Sequence, residues 1–150
     1  MTRITWTTEW DTGLDVIDQQ HRRIVDYINQ LHDARTSGHE KEEIRKVIDG
    51  LVDYTLSHFA FEENLQEEAH YPMLSAHKKV HELFVKRVND FRERCDKGEN
   101  ISEELNVMLV TWLKHHIQRD DMDYVKSVKD NLHIDSFVER KKGFFSRLFG

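Results

Sequence analysis

Residues 44–66 read IRKVIDGLVDYTLSHFAFEENLQ. Ile44, Val47, Ile48, Leu51, Tyr54, Thr55, His58, Phe59, Glu62 and Leu65 recur at the three- and four-residue steps of one helix face. The stripe predicts a long helix over roughly residues 40–66. It also holds two groups that an apolar core does not want. His58 and Glu62 stand one turn apart and about 40° around the helix, so both reach the same interior volume.

The same periodicity extends in both directions. Ile24, Ile28 and Leu31 share a stripe with His21; Asp18 is the expected N-cap of this first helix and Gly38 its end. The preceding segment, 1–17, carries Trp6, Trp10, Leu14, Val16 and Ile17 without a helical pattern. It reads as an ordered arm, because two exposed tryptophans would be unusual. Pro72, the only proline, suits the first turn of a third helix with Leu74, His77, Val80, His81, Phe84, Val88 and Phe91 inward. After a loop at Gly98, Ser102 opens a fourth helix, with Glu103 and Glu104 in its first turn. Its interior stripe is Leu105, Leu109, Trp112, Leu113, His116, Ile117 and Tyr124. Four long helices with short links predict an all-α, antiparallel up-down four-helix bundle. The expected single domain, 1–150, has an arm (1–17), a bundle (18–132) and an extension (133–150).

Composition narrows the function classes. At 150 residues the chain can bury a real core. The formal net charge is −6 and no basic stripe crosses the body, which argues against nucleic acid as a partner. No apolar run approaches the length of a membrane span. Cys95 stands alone and fits a reducing compartment, so the expected location is the cytoplasm.

The inward polar residues form a set: His21, His58 with Glu62, His77 with His81, and His116 with Asp121. A single histidine on an apolar face is usually satisfied by a hydrogen bond. Burying five imidazoles and two carboxylates without a cation would leave several polar groups unpaired, at about 1–3 kcal/mol each. The donor set lacks thiolate, which excludes an iron–sulfur cluster, and suits a pair of non-haem irons. Seven side chains are too many for one ion. The five-residue step from His116 to Asp121 falls off a single stripe. It is expected to be met by a broad inward face spanning two ridges, one with Trp112 and His116, the other with Leu113, Ile117 and Asp121.

The segment IDQQHR at residues 17–22, followed by His58-x-x-x-Glu62, His77-x-x-x-His81 and His116-x-x-x-x-Asp121, resembles the hemerythrin family, specifically its bacterial single-domain form. The resemblance spans about residues 10–132. It implies that His77, His81 and His116 hold one iron and His21 and His58 the other, with a vacant position. Glu62 and Asp121 would bridge them beside an oxo or hydroxo group. The implied activity is reversible dioxygen binding for storage, transport or local delivery, without catalysis, by a monomer. Ile24, Phe59, Leu113 and Ile117 would keep the vacant position dry. Trp112 is expected as a wedge between helices, and Tyr124 either as a hydrogen-bonding partner of a ligand or neighbouring carboxylate or as a boundary packing residue. Alternatives are oxygen or redox sensing through a separate partner, and a di-iron oxidase or a peroxide- or nitric-oxide-consuming enzyme. Against the oxidase, ferritin-like oxygen activators use carboxylate-rich sets with Glu-x-x-His. His32, His39, His70, His115 and His133 lie outside the motif and are expected at the surface; His115, turned about 100° from His116, is expected to face outward or to stand just behind the ligands.

The extension ends with Phe144, Phe145, Leu148 and Phe149 among Arg140, Lys141, Lys142 and Arg147. Three readings stay open. It could dock on the bundle as a short amphipathic helix, with Phe137 and Val138 extending the contact. It could touch a membrane transiently, or it could dock to an oxygen-consuming enzyme or signalling partner.

Overall fold

The apolar stripes become four long antiparallel helical columns in the computed structural model, which describes residues 3–36 and 41–149. The columns are α1 (Asp15–Thr36), α2 (Lys41–Glu68), α3 (Leu74–Asp96) and a fourth made of three joined pieces. That fourth column runs as α4 (Ser102–His115), a π-helical turn (His116–Asp121) and α5 (Met122–Asn131). Two short helices follow, α6 (Ile134–Lys141) and α7 (Ser146–Phe149). Gly38, His39 and Glu40, on which the first link was read, lie outside the described residues.

The helix ends correct two expectations. α1 begins at Asp15, so Asp18 is not its N-cap. The Asp18 carboxylate lies inside the first turn and accepts from the Thr12 N–H and hydroxyl, both at 2.8 Å, and from Gly13 N–H at 3.3 Å. Gly13, at φ 90°, reverses the chain there and lets Leu14 and Ile17 enter the core, which extends the helix backwards. Pro72 stands two residues before α3 rather than in its first turn. The turn is instead set by His70, a non-glycine at φ 57° that closes α2. His70 N–H donates to Glu67 at 3.1 Å and Tyr71 N–H to Gln66 at 2.9 Å, the paired bonds of a left-handed helix stop. Gly98 closes α3 in the same way.

α1 packs between α2 and α4, and α2 packs against α3. α3 and α4 meet through large side chains: the rings of Phe84 and Trp112 lie 3.9 Å apart. The arm is held to the bundle by Ile4 and Asn29, which exchange two hydrogen bonds of 2.8 and 2.9 Å. Trp10 is buried and Trp6 half-buried against it.

The interior divides into two apolar clusters. One is built on Ile24, Ile28, Leu51, Phe84, Val88, Leu105 and Leu109. The other gathers Leu14, Ile17, Phe61, Leu65, Tyr124 and Val128 with two residues of the extension, Phe137 and Phe145. The extension therefore docks on the bundle. Phe61, fully buried, meets the edges of Phe137 at 5.3 Å and Phe145 at 5.4 Å. Phe144 alone of the terminal aromatics points out, at 82% exposure. Among the described residues no helix is long and apolar enough to cross a membrane. Between the two clusters lies a layer of buried polar side chains.

Candidate metal centre

Each helical column delivers part of that layer. α1 brings His21, α2 brings His58 and Glu62, α3 brings His77 and His81, and the π-helical turn brings His116 and Asp121. Helical spacing accounts for the pairs on α2 and α3. The pair His116 and Asp121 needs something else. In an α-helix five residues turn about 500°, which leaves the second side chain about 140° off the first. The backbone widens here to i→i+5 hydrogen bonding, and that brings residues five apart onto one face. The expected two-ridge face is thus corrected: the helix itself changes pitch where the candidate pair sits.

The convergence is close. Glu62, His77, His81 and His116 form one group of potential ligand atoms, all within 4.8 Å of one another, and His21, His58 and Glu62 form a second. The carboxylates straddle the two groups. Glu62 sets Oε1 at 2.9 Å from His77 Nε2 and 3.2 Å from His81 Nε2. Its Oε2 lies 2.9 Å from His58 Nε2 and 3.6 Å from His21 Nε2. Asp121 does the same, with Oδ1 3.0 Å from His116 Nε2 and Oδ2 2.9 Å from His21 Nε2. All seven residues are buried. Glu62 Oε2, both Asp121 oxygens and the Nε2 atoms of His21 and His58 lack a well-aligned hydrogen-bond partner. Such atoms are costly in a protein interior, and cations satisfy all of them at once.

The charges point the same way. Burial opposes protonation of His21 and His77, but the Asp121 and Glu62 carboxylates outweigh it and push both up to about 9. His116, also buried, is driven up by Asp121 and its neighbours. His58 goes down because burial dominates there. Burial also opposes ionisation of Glu62 and Asp121, yet the facing imidazoles hold both below the ordinary carboxylate range. Protons on histidines occupy the place of positive charge that metal ions would take.

Three residues missed from the sequence fix the rings from behind. His58 Nδ1 donates to Gln20 Oε1 at 2.7 Å, His81 Nδ1 to Glu63 Oε2 at 2.9 Å, and His116 Nδ1 to Asp120 Oδ2 at 3.1 Å. These oxygens can only accept, so each Nδ1 carries a proton and each Nε2 is the ring nitrogen that faces inward. The signal available in the sequence was adjacency. Gln20 precedes His21, and Glu63 and Asp120 each neighbour a motif acid.

The apolar residues singled out from the sequence are buried: Ile24, Phe59, Leu113 and Ile117 all belong to the larger cluster. Phe59 lies flat on His81, ring centroids 3.8 Å apart at 7°. Trp112, half-buried, stacks on His116 at 4.4 Å and leans at a tilt on Phe84, a wedge between α3 and α4. Tyr124 is fully buried against His77, ring centroids 5.7 Å apart, and its hydroxyl lacks a well-aligned hydrogen-bond partner, so of the two expectations it is packing that the structure shows. Burial and the charges of Glu62 and Asp121 raise its pKa well above that of a free phenol, which keeps the hydroxyl protonated. His70, His115 and His133 are exposed and His32 is half-buried. An open groove of about 540 Å³ between α2 and α3 reaches Phe59, Glu63 and His81 from outside.

Comparison with known proteins agrees with this geometry. The family model for the hemerythrin HHE cation binding domain matches residues 12–128. A bacteriohemerythrin of Stenotrophomonas maltophilia (strain R551-3) is 48% identical over 147 residues, covering 98% of this chain and 95% of the relative. One from Pseudomonas aeruginosa (strain LESB58) is 50% identical over 132 residues, covering 88% of this chain and 86% of the relative. A crystal structure of wild-type hemerythrin superposes with a TM-score of 0.79 at 31% identity, covering 85% of this chain and 98% of that one. With the fold, the buried ligand groups and these likenesses in agreement, the chain belongs to the hemerythrin family.

Proposed function

We propose that the chain binds dioxygen reversibly at a pair of irons held by His21, His58, Glu62, His77, His81, His116 and Asp121. The observation that carries this is the straddling of Glu62 and Asp121, each with one oxygen toward a three-histidine end and the other toward a two-histidine end. When bound, a diferrous pair supplies the two electrons that dioxygen takes up and returns. His77, His81 and His116 would hold one iron, and His21 and His58 the other. Glu62 and Asp121 would serve both irons, each offering one carboxylate oxygen toward either end. The protein's own contribution is orientation and exclusion. Gln20, Glu63 and Asp120 set the imidazole tautomers. Ile24, Phe59, Leu113 and Ile117 offer no acid, base or ligand atom, so they exclude water from the site and withhold protons from the bound gas. Tyr124 keeps its hydroxyl proton beside the carboxylates. The protein acts as a carrier rather than an enzyme, in the cytoplasm.

The test is anaerobic reduction of the iron-loaded protein, oxygen titration, then nitrogen flushing, followed by visible absorption. Carriage gives a spectrum that rises and falls reversibly. Steady oxygen consumption would overturn the carrier reading in favour of an enzyme.

A further inference from the structure

The two ends of the centre are supported unequally. Residues 62–63 and 120–121 are both acidic pairs, and in each pair one carboxylate turns inward and its neighbour outward. The outward members, Glu63 and Asp120, accept from His81 Nδ1 at 2.9 Å and His116 Nδ1 at 3.1 Å. Both histidines belong to the three-histidine end. At the other end, His58 Nδ1 donates to the neutral amide of Gln20, and His21 Nδ1 is buried without a hydrogen-bond partner. Two negative charges thus stand behind one end and none directly behind the other.

A carboxylate that accepts from Nδ1–H pulls that proton toward itself and raises electron density at Nε2. It also places negative charge close to whatever cation Nε2 binds, and a trivalent ion gains more from it than a divalent one. We propose that Glu63 and Asp120 are positioning residues that act through His81 and His116. They make the three-histidine end the tighter metal site and the end that favours ferric iron. The inference rests on the di-iron reading above and assigns a role to two side chains outside its ligand set.

The position of these carboxylates makes the idea testable without loss of fold. Their side chains are 25% and 38% exposed, Glu63 toward the groove between α2 and α3, so replacing them leaves no cavity in the core. The amide variants Glu63→Gln and Asp120→Asn keep an acceptor oxygen for Nδ1 and remove only the charge. The alanine variants remove both. Glu82→Gln, in the same groove, controls for surface charge.

Two readouts apply to each iron-loaded protein: retention against a ferrous chelator, and midpoint potential by mediated reductive titration. Each alanine variant should lower retention about 10- to 100-fold. The amide variants should lose less metal but move the midpoint potential in the positive direction, and the double variant Glu63→Gln/Asp120→Asn should move it furthest. Glu82→Gln should match the wild type in both. Wild-type protein holding two irons, with potential and retention unchanged in the double amide and double alanine variants, would overturn this inference alone. Wild-type protein that takes up no iron would overturn the di-iron reading and this inference with it.

Discussion

Phe137→Ala separates the extension from the metal centre. Phe137 has 0% exposure and meets the edge of Phe61 at 5.3 Å. Burying an aromatic side chain removes about 150–250 Å² from water, worth roughly 4–6 kcal/mol at about 25 cal/mol per Å². Alanine keeps a little of that, so a loss of about 3–5 kcal/mol is expected. The loss falls on a terminal helix, so the chain can respond by releasing α6 and α7 and uncovering Phe61 and Leu65. For a domain of this size each kcal/mol moves the melting temperature by about 2–4 °C, which sets the drop at roughly 6–20 °C. Far-ultraviolet circular dichroism of the metal-free protein measures it. Iron analysis of the same variant should still give two irons per chain, because every proposed ligand lies between His21 and Asp121. A melting temperature within about 3 °C of wild type would show that the docked extension contributes little. Loss of half the iron would refute the separation, because the extension would then be helping to close the metal site.

Glu62→Ala should release iron on dialysis far more readily than His115→Ala, since Glu62 reaches both ligand groups and His115 is exposed; equal retention by metal analysis would refute the bridging role. Leu113→Ala, at a buried position, should cost about 2–5 kcal/mol and speed conversion of the oxygenated protein to the diferric form; an unchanged rate in a folded, iron-loaded variant would remove Leu113 from the guard of the site. In the metal-free protein, His21 and His77 are raised from 6.5 to about 9 because the Asp121 and Glu62 carboxylates outweigh burial. A raised pKa adds stability that is complete below the unfolded value and disappears as pH climbs through the folded one. The melting temperature of metal-free protein should therefore fall between pH 6.5 and about 9. Iron-loaded protein, whose Nε2 atoms carry no proton, should lack that fall; a flat metal-free profile would refute the assignment.

What the sequence determined is local and periodic. Apolar residues at helical steps set four columns, and the same steps carried His58 with Glu62 and His77 with His81 onto inward faces, because side-chain direction in a regular helix follows from residue count alone. The ligand candidates on α1, α2 and α3 were legible for that reason. Residue count failed where the backbone departs from the regular helix. His116 and Asp121 share a face only through the π-helical turn, and no side-chain pattern in residues 116–121 announces that change of pitch. α1 starts early because Gly13 and the buried pair Leu14 and Ile17 draw the chain in, a decision made by packing against the second cluster. Glu63 and Asp120 look like solvated acids until α3 brings His81 to one and the π-helical turn presents His116 to the other. The extension could have met solvent, membrane or protein. It docks because Phe61, Leu65 and Val128, from helices far apart in the chain, assemble the apolar surface that Phe137 and Phe145 cover. Those choices belong to the tertiary structure, since each depends on atoms that only folding brings within contact distance.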